Sequence, residues 1–379
     1  MVKPGITVLF ERCSELLAGK RLGLVTNASA ILPDLSSSVD ALRRLHDATL
    51  VALFAPEHGI DVTVAEGVPV LSSVNRATGL PVHSLYGESR RPPASMLEGL
   101  DVLVFDIQAV GARFYTYITT LCYVLEAAAA HHLPVIVCDR PNPIGGEIVE
   151  GPVLEPDFAS FVGPGPLPIR YALTIGELAK LYVDVWGIDA RVEVIPCTGW
   201  RRKMWFDQTG LIWAAPSPNL PSLEPAILYP GMCLLESTNL SEGRGTPLPF
   251  QIAGAPWLDG QALADSMNRL ELPGVGFRPI QFVPTAGRWA GELCSGVQLH
   301  ILDRDWLRSV TVVLHLLAAV NALHPETITF QASHFDRLIG TDSVRHALNS
   351  GVPVDEIVSD WVPVQTTFLR QRAEVLMYE

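Results

Sequence analysis

Leu50-Val51-Ala52-Leu53-Phe54 is an apolar run that stops abruptly at Ala55-Pro56-Glu57-His58-Gly59. A short apolar run closed by proline and glycine has the pattern of a buried parallel strand emptying into a loop. The same punctuation recurs through the first half of the chain. Arg21-Leu22-Gly23-Leu24-Val25 ends at Thr26-Asn27-Ala28-Ser29, and Asp101-Val102-Leu103-Val104-Phe105 ends at Asp106-Ile107-Gln108. Leu133-Pro134-Val135-Ile136-Val137-Cys138 ends at Asp139-Arg140-Pro141-Asn142. Helical segments are expected near Thr7–Leu17, Leu35–His46, Ala94–Leu100 and Tyr117–His131. Another helix begins near Thr174, and Arg191–Pro196 can form a fifth strand. This alternation dictates an α/β fold, a Rossmann-like parallel sheet with helices on both faces.

The pattern changes beyond Pro256. A helix over Gly260–Leu270, strands over Phe277–Val283 and Gly296–Leu302, and a helix over Trp306–Leu323 are followed by two or three helices between Phe335 and Tyr378. The expected division is a Rossmann-like catalytic domain over residues 1–250 and a smaller α+β domain over 251–379 that completes the cleft. A length of 379 residues accommodates two cores of ordinary size.

Composition removes several function classes. A formal net charge of -13, with arginines scattered along the chain, argues against nucleic acid as a partner. The longest apolar segment, Val310–Leu323, is interrupted by Thr311, His315 and Asn321 and is too short to span a bilayer. Six cysteines without a C-x-x-C pair read as buried free thiols in a reducing compartment. The amino terminus lacks the apolar stretch and cleavage site of a secretory signal, so a cytoplasmic location is expected, although a leader already removed would leave the same trace. No G-x-G-x-x-G, G-x-x-x-x-G-K-[ST], G-x-S-x-G or H-E-x-x-H motif occurs. Nicotinamide, nucleotide, serine-hydrolase and zinc chemistry therefore lack support, and neither metal nor cofactor is expected.

The polar residues that remain gather at one edge. Asn27, Glu57, His58, Asp106, Gln108, Asp139, Arg140 and Asn142 all directly follow strands, and in an open α/β sheet such positions face a common crevice. Each also suits a structural task, such as capping a turn or pairing with a neighbouring charge. Two long segments rich in glycine and proline, Gly145–Pro168 and Trp200–Pro221, suit loops beside such a crevice. The tryptophans of the second suit either sugar stacking or core anchoring. Glu236–Thr246 is the most polar stretch. A crevice rich in carboxylates, amides, arginines and aromatics fits acid/base hydrolysis of a glycosidic bond.

Gly23-Leu24-Val25-Thr26-Asn27, Pro56-Glu57-His58-Gly59, Phe105-Asp106-Ile107-Gln108, Gly111–Tyr117 and Asp139-Arg140-Pro141-Asn142-Pro143 resemble the exo-β-N-acetylmuramidase family of peptidoglycan-recycling glycoside hydrolases. So do Glu150-Gly151-Pro152, Ser217-Pro218-Asn219, Thr238-Asn239, Gly243-Arg244-Gly245-Thr246 and Gly254-Ala255-Pro256-Trp257, and the likeness runs from about Val2 to Tyr378. The resemblance implies a cleft that removes N-acetylmuramic acid from the non-reducing end of peptidoglycan-derived muropeptides. It makes Glu57 the catalytic acid, with its partner expected at Glu150 or Asp106 and then at Glu66. The lactyl carboxylate of the sugar calls for an arginine, with Arg113, Arg140 and Arg244 as candidates. Asn27, His58, Gln108, Tyr115, Asn142, Asn219 and Asn239 complete the expected binding set. Many relatives are exported, whereas this chain begins at the family's first helix, which suits cytoplasmic breakdown of imported fragments. Two other readings stay open: a muropeptide-binding protein without turnover, and a glycosidase for another N-acetylhexosamine.

Overall fold

The computed structural model describes all 379 residues. Seven strands form the larger sheet: β1 (Arg21–Thr26), β2 (Thr49–Ala55), β3 (Ser73–Val74), β4 (Pro81–Ser84), β5 (Val102–Asp106), β6 (Val135–Cys138) and β7 (Val192–Ile195). Their order is β3-β4-β2-β1-β5-β6-β7, parallel throughout except for the β3–β4 pair. The chain moves outward from β1 to β2 and β4, then returns to the other side of β1 to lay down β5. Such a reversal opens a crevice between the carboxyl ends of the two strands it separates. Thr26 and Asp106 are register partners at that point.

Period-two alternation divides the sheet's side chains between two apolar layers. Val25, Phe54, Leu103, Phe105, Val135 and Val137 join the larger core, whereas Leu24, Leu53, Val104 and Ile136 face a smaller one under the helix Gly5–Arg12. A side chain at Gly5 would collide with the backbone of Asp139 and Ile195, so glycine lets this helix lie directly on the sheet. The larger core continues without interruption into the second sheet. That sheet contains β8 (Ile252–Ala255), β9 (Val275–Phe282) and β10 (Cys294–Ile301), antiparallel in the order β8-β10-β9. The α/β expectation and its smaller α+β companion are both present.

Several elements escaped the sequence pattern. The β3–β4 hairpin and β8 are short, with two to four residues each, too few for an alternation to register. The helix Leu223–Met232 contains Pro230, which reads as a breaker. It survives because it packs on the helix Ser309–Leu323, with Gly231 against the Ser309 backbone. The carboxy-terminal section holds four helices, Ala332–Ile339, Ser343–Asn349, Val354–Ser359 and Val362–Ala373, rather than two or three. Gly340, with φ of 92°, and Pro353 divide them.

The end of the chain returns to the first sheet. Tyr378 donates its hydroxyl to Asp139 Oδ2, and Met377 N–H donates to Glu177 Oε1 at 2.9 Å. All six cysteines are free and five are buried. No helix is long and apolar enough to cross a membrane.

Candidate active site

Burial of β2 carries the chain to Pro56 at the sheet's carboxyl edge, where His58 and Gly59 adopt left-handed conformations with φ of 70° and 77°. A non-glycine residue reaches that region only where the surroundings enforce it. The turn leaves Glu57 in the wall of a cavity of about 420 Å³. Its Oε1 accepts the Gly67 N–H at 3.0 Å, and its Oε2 accepts the Thr116 hydroxyl at 2.6 Å. Tyr86 stands beside the same carboxylate, and burial together with the charge of Glu57 pushes its phenol up to about 12. Tyr86 therefore remains a protonated donor at neutral pH. His58 Nδ1 lies 2.8 Å from the Val64 carbonyl, which places the proton of a neutral ring on Nδ1.

The opposite wall comes from segments distant in sequence. Arg244 pairs with Glu236 at 2.6 Å, Glu242 at 2.9 Å and Glu66 at 3.2 Å, and Asn219 donates to Glu66 at 3.1 Å. The helix Ala332–Ile339 presents His334, Arg337 and Leu338 at spacings of three and four residues, which share one helix face. Tyr86, Tyr115, Phe161, Tyr229 and Phe250 supply aromatic surface. Tyr115 is buried there with no hydrogen-bond partner for its hydroxyl.

Six of the sequence-derived candidates thus meet in the cavity: Glu57, His58, Glu66, Tyr115, Asn219 and Arg244. The others do not line it, and each has a structural partner. Asp106 is fully buried and receives Arg140 through Nε at 2.6 Å and Nη2 at 2.9 Å, with the Ser38 hydroxyl as a third donor. Arg140 also donates to the Ile31 carbonyl. Glu150 accepts the backbone N–H and hydroxyl of Thr311 at 2.8 and 3.0 Å, capping the first turn of the helix Ser309–Leu323. Arg113 donates to the carbonyls of Pro152, Leu167 and Leu338 at 2.7–3.0 Å, and burial without a carboxylate pushes its guanidinium down to about 9.

The amides behave likewise. Asn27 donates to the Tyr117 hydroxyl at 2.7 Å and folds back on Ser29. Gln108 donates to the carbonyls of Ala109 and Pro141, Asn142 to that of Leu173 and Asn239 to that of Thr327. Trp200, Trp205 and Trp213 do not line the cavity either; Trp200 and Trp205 are buried and Trp213 packs against Phe206. Tyr86, Arg90, Thr116, Phe161, Tyr229, Glu236, His334 and Arg337 were not singled out from the sequence. Three had a signal: Thr116 belongs to the Gly111–Tyr117 motif, Phe161 lies in the long Gly145–Pro168 loop, and Glu236 opens the most polar stretch.

Comparison with known proteins agrees with this architecture. The chain is 43% identical over 378 residues to the peptidoglycan β-N-acetylmuramidase NamZ of Bacillus subtilis (strain 168), covering 100% of this chain and 91% of that protein. Crystal structures of two DUF1343 family proteins from Bacteroides fragilis NCTC 9343 superpose with TM-scores of 0.94 and 0.80, at 36% and 28% identity. Each covers 100% of this chain and 99% of its own. The amino-terminal model of exo-β-N-acetylmuramidase NamZ matches residues 22–224 and the carboxy-terminal model matches residues 227–378. With both models matched in chain order on the fold described above, the chain belongs to the NamZ exo-β-N-acetylmuramidase family.

Proposed function

We propose that this protein is an exo-acting glycoside hydrolase that releases N-acetylmuramic acid from the non-reducing end of peptidoglycan fragments, with Glu57 as its general acid. The observation that carries the reading is a buried carboxyl group held in the wall of a cavity of about 420 Å³. Small-molecule sites span about 300–1,000 Å³, so the lower part of that range suits one terminal sugar better than a polymer passing through. The six free thiols suit work on imported fragments in a reducing compartment.

The hydrogen bonds of Glu57 favour Oε2 over Oε1 as the oxygen that hands a proton to the substrate. Gly67 N–H can only donate, so Oε1 remains an acceptor. The Thr116 hydroxyl can donate or accept, so Oε2 can carry a proton without losing its partner. Protonated Oε2 then serves the leaving glycosidic oxygen. Of the partners suggested by the sequence, Glu66 alone lines the cavity. Glu66 and Glu236, both tied to Arg244, form the pair from which the second catalytic carboxylate is drawn.

The test is mass-spectrometric detection of free N-acetylmuramic acid after incubation of a muramyl-glucosamine disaccharide with wild type and with Glu57→Gln. Release by wild type should fall at least about a hundredfold in the variant. Undiminished release would move the acid elsewhere in the cavity, and no release by folded wild type would refute the reaction.

A further inference from the structure

We propose that Arg90 and Arg337 form a clamp for the carboxylate of the substrate's lactyl group, and so determine selection of N-acetylmuramic acid over other N-acetylhexosamines; this rests on the substrate reading above.

The argument begins with charge. The cavity presents Glu57, Glu66 and Glu236, with Glu242 just behind, to a sugar that is itself an anion. Binding a carboxylate there requires cations that are not already neutralised. Of the three arginines expected to read it, Arg113 and Arg140 do not line the cavity, and Arg244 is shared among three carboxylates. Two other guanidinium groups line the cavity, and neither has a carboxylate within ion-pair distance. These are Arg90 and Arg337.

Each is oriented without being consumed. The Arg90 guanidinium carbon lies 4.3 Å from the Phe161 ring centroid and 5.3 Å from that of Tyr86. Stacking on aromatic rings uses the face of the guanidinium and leaves its N–H edge for planar, bidentate recognition of a carboxylate. Arg337 donates Nε–H to the Ser333 carbonyl at 3.0 Å, one turn back on its own helix, which leaves both Nη groups unengaged. His334, also on that cavity-facing side, has its pKa lowered first by burial and then by the charges of Arg337, Arg244 and Arg288. Its ring registers a locally positive field, the complement of an anionic substituent.

The two arginines come from opposite halves of the chain. Arg90 follows β4 of the large sheet, whereas Arg337 belongs to a helix beyond the small sheet. A substrate gripped by both would bridge the two halves. The carboxy-terminal half would then contribute specificity while Glu57 in the amino-terminal half supplies the acid.

The experiment compares wild type with Arg90→Gln, Arg337→Gln, the double variant and Arg90→Lys. The readouts are kcat/KM on chromogenic N-acetylmuraminide and N-acetylglucosaminide substrates, and calorimetric affinity for the two free sugars. Each glutamine variant should lose about tenfold or more on the muramic substrate and free N-acetylmuramic acid, with the glucosamine values unchanged. Loss in the double variant should reach about a hundredfold, and Arg90→Lys should recover part of the Arg90→Gln loss. Equal losses on both sugars would reassign the arginines to a structural role, and no loss on either would refute the clamp. A wild type that cleaves neither substrate, or prefers the glucosaminide, would instead refute the underlying substrate reading, a result visible before any arginine is changed.

Discussion

Asp106 and Glu57 stand at the carboxyl ends of strands separated only by β1, yet their surroundings diverge. Asp106 is fully enclosed, with both oxygens taken by Arg140 and a third donor from Ser38. Glu57 is held by a backbone amide and a hydroxyl, but it faces a cavity and has no cation within ion-pair distance. The first arrangement locks the point where the strand order reverses. The second holds a carboxyl group in place while leaving it available to a ligand. A polar strand end in an α/β sheet is thus a position with two uses, and the partner decides between them.

The most severe way to break this contrast is Asp106→Asn, which leaves the Arg140 guanidinium buried without a counter-charge. Removing one member of a buried pair costs about 3–5 kcal/mol. The denaturation midpoint should fall accordingly, while protein that remains folded keeps its turnover per molecule. A normal midpoint with lost turnover would move Asp106 from the structural category to the catalytic one.

Asp139, at the end of β6, extends the comparison to a second locked carboxylate. It accepts the N–H groups of Arg140 and Gly176, and burial raises its pKa from 3.8 to about 7. A raised carboxylate pKa favours the folded state below the unfolded value and loses that advantage as pH climbs to the folded value. Stability should therefore decline between about pH 4 and pH 7, by no more than about 4 kcal/mol. Asp139→Asn keeps an acceptor for both amides and should flatten that decline in a pH series of urea titrations. An unchanged slope would mean that other groups carry it.

Glu57→Gln should behave in the opposite way to Asp106→Asn. A glutamine keeps an oxygen for Gly67 N–H, so the midpoint should move by less than about 1 kcal/mol while turnover falls about a hundredfold. A large loss of stability would show that Glu57 too is a lock.

These contrasts mark where the sequence was legible. Alternating apolar runs located β1, β2, β5, β6 and β7, and the proline and glycine after β2 pointed to Glu57 as a residue at the working edge. They carried no information about which strand-end residues would find a partner. Arg140 reaches Asp106 across 34 residues, and Arg113 reaches the Leu338 carbonyl across 225. Such pairings depend on how β5 and β6 lie side by side and how the carboxy-terminal helices dock. The same limit hid Tyr86, Arg90, His334 and Arg337, which enter the cavity from loops and helices far from the Pro56-Glu57-His58-Gly59 motif.

The finest form of the comparison removes one support of Glu57 and leaves the acid itself. Thr116→Val preserves shape but deletes the hydroxyl 2.6 Å from Glu57 Oε2, at the entrance to the helix Tyr117–Ala130. Gly67 N–H still holds Oε1 and Tyr86 still adjoins the carboxyl, so orientation is loosened rather than lost. A single hydrogen bond to a charged group is worth about 1.5–3 kcal/mol. With those supports remaining, the loss should sit at the lower end, about tenfold in kcat with KM little changed. Thr116→Ser should restore it, because the hydroxyl returns without the methyl group. Failure of serine to rescue, or a rise in KM alone, would mean that Thr116 touches the sugar instead of holding the acid.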